Sequence, residues 1–331
     1  MKTLAQYQLL DTDVLLAGVA EWIVKESPLF MFAGFNDIMG NSLFYDVELT
    51  LPGIGKLNGP NETVPESTGT VAQRSISLKR YIGDADVDQF AVVTNATQNP
   101  TVTTIEEKAK GFAHEVENDF LHGGTTTQTA TGQTKGILQI IAEFESTSTT
   151  DLDAPNNTQV VANHATSGDL DLEKLDELID SVKPGKPDIL MMSRACKREL
   201  KILSRASGTT LRQTQMEFGH SIDLYDGIPV LVSDFILNNV QDSAASILDL
   251  TAYDQTVTRA SGYDNTYVLA LKFGDMDVSG EQAGGGMTHI PLGMVQNKDA
   301  ERHRFRWYLG WSCKKKFSAA VLTGVLGGAA L

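Results

Sequence analysis

The residues of this chain that could do chemistry are six histidines, two cysteines, a run of alternating aspartates and two short glycine-rich turns. The histidines are His114, His122, His164, His220, His289 and His303. No two stand four apart, and no HExxH occurs, so the helical zinc pair of a metallohydrolase is not built. His114 lies among charged residues and reads as a solvated or packed ring. Cys196 has Lys197 and Arg198 beside it, a setting that can lower a thiol pKa. No base stands near it in sequence, so it reads as a structural thiol. Neither Cys196 nor Cys313 belongs to a CxxC pair, and no disulfide framework is implied.

Gly53-Ile54-Gly55-Lys56 lacks the spacing of a phosphate-cradling loop, and no strong helix follows it. Gly284-Gly285-Gly286 is a flexible turn with no dinucleotide fingerprint behind it. Asp84, Asp86 and Asp88 occupy the odd positions of a calcium loop, but residue 89 is Gln rather than Gly and no flanking helices are evident. They read as a solvated loop. No catalytic, metal or cofactor constellation emerges, and a non-enzymatic protein without a cofactor is expected.

The charges narrow the classes further. Lys and Arg total 27 against 42 Asp and Glu, a formal net of −15. An acidic chain repels phosphates at long range, which argues against generic DNA binding but not against a container that must not stick to its contents. Against that background, Arg194, Lys197, Arg198, Lys201 and Arg205 cluster on one predicted helix. They form a solvated face, a contact with an acidic face of a neighbouring copy, or a DNA-facing patch. The same alternatives hold for Arg302, Arg304 and Arg306 and for Lys314 to Lys316. Hydrophobic residues make up 41%, as in a folded globular protein. The longest apolar stretches, Val14–Val24 and Val321–Leu331, fall short of the ~20 residues of a membrane span. A soluble protein without a signal peptide is expected.

The elements that must position these residues follow from periodicity. Residues 11–27 have near-helical apolar spacing up to Pro28, and an apolar run, Leu29 to Phe35, follows. Residues 43–51 alternate around Tyr45, Val47 and Leu49, and 74–82 alternate around Arg74, Ile76, Leu78, Arg80 and Ile82. Between them lie four glycines and three prolines over 52–70, so the segment reads as a two-stranded ribbon with a loose tip. Such a ribbon is marginal alone and needs a partner surface. Val102, Ile105, Ala109, Phe112, Val116 and Phe120 form one stripe of a helix over 100–121, opened by Pro100 and stopped by Gly123-Gly124. A loop over 124–135 leads to the apolar run 136–141, and 145–168 is a polar insert. A helix over 172–182 is capped by Asp169 or Asp171 and ended by Pro184-Gly185. Strands are expected at 188–192, 228–232 and 266–271. The basic helix follows the first of these, and the alternation indicates a mixed α/β middle domain. Phe305, Trp307, Leu309, Trp311 and Cys313 form one face of a late strand, and 319–325 a last strand or tail.

The order of these parts resembles the major capsid protein of tailed bacteriophages, the Hong Kong 97-type fold that encapsulins share. The resemblance is carried by Asn118-Asp119-Phe120-Leu121-His122-Gly123 leading to Gly136-Ile137-Leu138 and by Leu170 to Val182 followed by Pro187 to Arg194. It continues in Tyr225 to Asp234 and in Arg304 to Tyr308 through Leu322-Thr323-Gly324. It implies an α+β fold with residues 1–42 as an N-terminal arm and 43–83 as an extended β-hairpin loop. Residues 84–136 with 290–318 would form a peripheral domain around a spine helix near 100–121, and 137–289 with 319–331 an axial domain. It implies self-assembly into pentamers and hexamers that tile an icosahedral shell around double-stranded DNA in a virion, assembled in the host bacterial cytoplasm. Scaffolding and portal proteins are the implied partners, a decoration protein is left open, and no membrane is involved.

Residues expected to meet neighbouring copies are Trp22, Phe30, Phe32, Tyr45, Lys56, Arg74, Arg80, Arg194, Arg198, Arg304 and Arg306. Some relatives crosslink a loop lysine to a neighbour's asparagine. Here Lys56 lies near the ribbon tip and Asn297 before the last long strand, but no partner acid can be assigned. The alternative is an encapsulin shell around an enzyme cargo.

Overall fold

In the computed structural model the described residues are 28–56, 59, 63, 66–94, 100–123, 134–144, 157–163, 168–206, 212–215, 221–236 and 265–326. Trp22, the helix expected over 11–27 and most of the polar insert at 145–168 lie outside them.

Strands β2 (Ser42–Thr50) and β3 (Thr70–Ser77) form the antiparallel ribbon, with Leu43 opposite Ile76, Tyr45 opposite Arg74 and Val47 opposite Ala72. Those six side chains share the half-buried face, while Phe44, Asp46, Val71 and Gln73 point outward. The strand expected over 74–82 divides at Leu78. Beyond it, β4 (Lys79–Asp88) leaves the ribbon and joins a four-stranded sheet. The inward face changes parity at this break: Tyr81, Ala85 and Val87 point in, and Arg80, Ile82 and Asp84 point out. A one-residue slip reverses every later side chain of a strand. Arg80 and Ile82 therefore do not continue the face of Ile76.

The four-stranded sheet runs β1 (Phe35–Asp37), β11 (Val278–Met294), β12 (Ala300–Cys313), β4. The aspartate run is part of β4 and not a loop. Strand β11 extends through the expected glycine turn. Gly284, Gly285 and Gly286 all have positive φ and sit in a register shift between Ala283 and Thr288, so they make a bulge rather than a chain reversal. The core face of β12 is the expected one: Phe305, Leu309, Trp311 and Cys313 are at most 2% exposed.

Helix α1 (Gln89–Thr94) leads to the long helix α2 (Pro100–His122), about 35 Å from end to end. The last turns of α2 are buried all round, including Glu117, Asp119, Leu121 and His122. At its end, a Cβ on Gly123 would strike the carbonyl oxygens of Asp119 and Thr134, and Gly136 donates its N–H to Gly123 O at 2.6 Å. Only glycine lets the two chain segments meet this closely. Helix α3 (Ile137–Ala142) follows, wholly buried.

A mixed seven-stranded sheet forms the rest. Its order is β5 (Val160–Ala162), β13 (Ala319–Leu326), β10 (Asn265–Leu271), β6 (Ile189–Met192), β9 (Ile228–Val232), β8 (Ser221–Tyr225), β7 (Arg212–Gln215). Strands buried on both faces need continuous apolar runs. In β6, Ile189 and Met191 join one core cluster and Leu190 and Met192 the other. The first cluster is shared with α2, α3 and β12. The second lies under helices α4 (Leu172–Ser181) and α5 (Arg194–Ala206). Asp171 caps α4, accepting the Glu173 N–H at 3.1 Å. Asp226 and Gly227, both at positive φ, close the β8–β9 hairpin.

Candidate assembly interface

The foot of the ribbon is fixed to the body by two of the residues expected to meet a neighbour. The Tyr45 hydroxyl donates to Cys313 O at 3.3 Å. The Arg74 guanidinium donates to Glu143 O and Phe144 O at 3.2 and 3.5 Å, just past the end of α3, and lies 5.6 Å from the Phe144 ring. Cationic donors satisfy carbonyls that a helix end leaves without intrahelical partners. Burial pushes the Tyr45 pKa up to about 12, opposed by the Arg74 charge. Around this foot lies a cavity of about 360 Å³ lined by Tyr45, Arg74, Ile76, Ile140, Glu143 and Trp311. The buried Trp311 N–H has no partner among the described residues. Gly310 gives the ribbon room: a Cβ there would stand 3.2 Å from Ile76 Cγ2 and 3.4 Å from Leu78 Cδ2.

On its outward face and toward its tip the ribbon is uncovered. Phe44 is 62% exposed, Val71 63%, Leu51 79% and Ile54 92%. Scattered apolar exposure is ordinary, but four large side chains along one projecting ribbon make an extended apolar surface. Lys56 near its tip is exposed, as is Asn297 in the turn between β11 and β12.

The outward face of the four-stranded sheet carries two bidentate ion pairs. Arg304 holds Asp84 at 2.7 and 2.8 Å, and Arg302 holds Asp86 at 2.6 and 2.8 Å. Hydrogen bonds from Arg304 and Arg302 keep both carboxyls below their usual range. These aspartates serve cross-strand pairing rather than a cation. Arg306 remains exposed, with Nε donating to Thr288 Oγ1 at 3.1 Å, and Arg80 is exposed on β4. Phe30 and Phe32 are docked on the chain's own core, Phe30 stacking on Trp307 at 6.1 Å between ring centroids. On α5, Arg194 forms a bidentate pair with Asp234, Lys197 and Lys201 converge on Asp223 at 3.1 and 2.9 Å, and Arg198 is exposed.

Sequence periodicity missed the polar groups enclosed at the end of α2. Tyr81 donates its hydroxyl to Asp119 Oδ2 at 2.6 Å and lies 3.0 Å from Thr134 Oγ1. Burial pushes the Asp119 carboxyl up to about 6. His122 Nδ1 lies 3.3 Å from the acceptor Asn118 Oδ1, so it carries the proton and Nε2 accepts from the Tyr267 hydroxyl at 2.6 Å. Burial lowers the His122 pKa to about 4. Ser233 donates to the buried Glu117 at 2.6 Å. The one signal in the sequence was Leu121 beside Phe120, which widens the apolar stripe where the helix enters the core. His289 and His303 also meet, ring nitrogens 3.1 Å apart. Among the described residues no group of three or more His, Cys, Asp or Glu is placed to hold a metal. No helix among them is long and apolar enough to cross a membrane.

A projecting ribbon, a long helix crossing beneath a four-stranded sheet and a two-faced mixed sheet define a Hong Kong 97-type shell subunit. The same fold is found in the holo-SrpI encapsulin complex from Synechococcus elongatus PCC 7942, at 13% identity and TM-score 0.64, covering 100% of this chain and 98% of that one. It is found in Microbacterium phage Oxtober96, at 12% identity and TM-score 0.61, covering 96% and 98%. The capsid of Myoviridae phage XM1 matches at 13% identity and TM-score 0.55, covering 98% and 99%. No curated protein sequence matches the chain. The family model of the SU10 major capsid protein matches residues 85–325, so the chain belongs to that family and is a bacteriophage major capsid protein.

Proposed function

We propose that copies of this chain form pentamers and hexamers that tile a closed icosahedral shell around double-stranded DNA. The observation that carries this is the ribbon: anchored on one face by Tyr45 and Arg74, apolar and uncovered on the other face and toward the tip. A neighbouring copy can cover it, and head-to-tail contacts that close on rotation give rings. In this reading residues 1–42 are the arm and 43–83 the extended loop. Residues 84–136 with 290–318 make the peripheral domain, and 137–289 with 319–331 the axial domain. The subunit acts structurally, without catalysis. Assembly takes place in the bacterial cytoplasm with separate scaffolding and portal proteins.

Size-exclusion chromatography with negative-stain microscopy of purified particles tests this. Shells of uniform diameter holding nuclease-resistant DNA are expected. A subunit that stays monomeric under every assembly condition overturns it. The second reading, an encapsulin-type compartment, draws on the full-length likeness to the SrpI encapsulin. Shells that copurify with a folded cargo enzyme and no DNA would favour it.

A further inference from the structure

The two helices on the outer side of the seven-stranded sheet carry opposite charge. Glu173, Asp176, Glu177 and Asp180 against Lys174 give α4 a formal charge of −3. Arg194, Lys197, Arg198, Lys201 and Arg205 against Glu199 give α5 a formal charge of +4. Part of each set is committed within the chain. Tyr225 donates to Asp176, Lys174 pairs with Glu177, Arg194 pairs with Asp234, and Lys197 and Lys201 pair with Asp223. What is left over is Glu173 and Asp180 on α4 and Arg198 and Arg205 on α5. All four are exposed, and none has an ion-pair partner among the described residues.

The leftover charges match in spacing. Glu173 and Asp180 are seven residues apart, as are Arg198 and Arg205, which puts each pair on one line of its helix about 10.5 Å apart. Both ion pairs can therefore form together when the two helices lie side by side. Within one subunit the helices are linked where the Leu170 N–H donates to Glu199 Oε2 at 3.4 Å and Tyr225 to Asp176, yet among the described residues none of the four leftover charges pairs with another. α4 packs on β13 and β5 at one end of the sheet and α5 on β9 toward the other, with β10 and β6 between.

We propose that α5 of one subunit docks against α4 of the next copy around the ring, pairing Arg198 and Arg205 with Glu173 and Asp180. The contact rests on the ring-forming function proposed above. It joins unlike surfaces, so it is directional and passes from subunit to subunit. Complementary charges at such a seam fix register and speed encounter, and reject a copy presented back to front. The exposed Ile202, in the turn between the two arginines, supplies apolar contact at the centre.

The test reverses each side separately and then together, in the full chain, reading particle yield by sedimentation. Arg198→Glu with Arg205→Glu is expected to lower yield about tenfold, and Glu173→Arg with Asp180→Arg likewise, each more severely at low salt where like charges repel further. The four-fold swap is expected to restore assembly. Circular dichroism and thermal midpoint should match wild type throughout, since all four side chains are exposed. Disulfides between Glu173→Cys and Arg198→Cys are expected to give ladders beyond the dimer. Wild-type yield from either double reversal, failure of the four-fold swap, or crosslinks that stop at dimers overturns the contact while leaving the shell function intact. Absence of particles from the wild-type chain would instead undo the shell function itself.

Discussion

Tyr45 and Arg74 stand directly opposite each other at the foot of the ribbon, and both reach inward to backbone carbonyls of the body. Both residues, expected to meet a neighbouring copy, hold the ribbon to its own subunit. The side chains free to meet a neighbour are those on the opposite face, Phe44 and Val71 among them.

Loss of this anchorage should loosen the ribbon without unfolding the body. Tyr45→Phe removes one hydrogen bond and is expected to cost about 1 kcal/mol; Arg74→Ala removes charged donors and should cost about 2 kcal/mol. The two effects should be less than additive, because the residues are cross-strand neighbours. Limited proteolysis should show faster cleavage within 42–77, measurable before any shift in the bulk thermal transition.

Phe44→Asp and Val71→Asp test the opposite face. Both positions are exposed, so subunit stability should change by less than about 1 kcal/mol. Assembly should nonetheless fail, with subunits accumulating in size-exclusion profiles. Normal shells from both variants would show that the ribbon's outer face is not a contact.

The end of α2 predicts two opposite pH effects one turn apart. Asp119 has a folded pKa of about 6, above the unfolded carboxylate value. Its contribution is present below pH 4 and lost as pH rises through 6, and at about 1.4 kcal/mol per unit the loss approaches 3 kcal/mol. His122 has a folded pKa of about 4, below the unfolded imidazole value. Its contribution is present above pH 6.5 and lost as pH falls through 4. In the wild type the two nearly cancel over pH 4–6.5. Asp119→Asn should leave a stability that rises with pH across that window, and His122→Gln one that falls. Thermal midpoints from pH 4 to 8 decide it.

Calcium should leave the subunit's thermal midpoint unchanged, because Arg304 and Arg302 already occupy the carboxylates of Asp84 and Asp86. A double-mutant cycle on Asp84 and Arg304 should give a small coupling that shrinks with added salt.

Gly123→Ala should be among the most damaging single-methyl changes. The new Cβ would meet two backbone oxygens, and main chain yields less readily than a side-chain tip. A cost of about 3 kcal/mol is expected, read as a lowered urea midpoint.

Where one period governs a whole element, the sequence was enough. The stripe of α2, the amphipathic α4 ending before Pro184 and the alternating core face of β12 all follow from residue spacing. It failed where tertiary contacts override the pattern. The alternation from Arg74 to Ile82 looks continuous, yet the strand changes sheets at Leu78 and reverses face. Gly284 to Gly286 look like a turn, but neighbouring β12 carries the strand past them as a bulge. Glu117, Asp119 and His122 look solvated because charge normally marks a wet face. They are enclosed because Tyr81, Ser233 and Tyr267 arrive from distant segments to satisfy them. Strand β8 was also missed, although Asp226-Gly227 is a hairpin-turn pair. The candidate contact residues were the least legible part, since residue type does not reveal whether an arginine's partner lies in the same copy.

One residue, Leu78, separates a strand of the projecting ribbon from a strand of the four-stranded sheet, and its N–H is tied to Asn41 O at 2.8 Å on the opposite side of the ribbon. The ribbon is thus continuous with the four-stranded sheet, and a single residue lies between the two strands. Any pull on the ribbon therefore passes through Leu78 straight into β4, which is hydrogen-bonded along its length to β12.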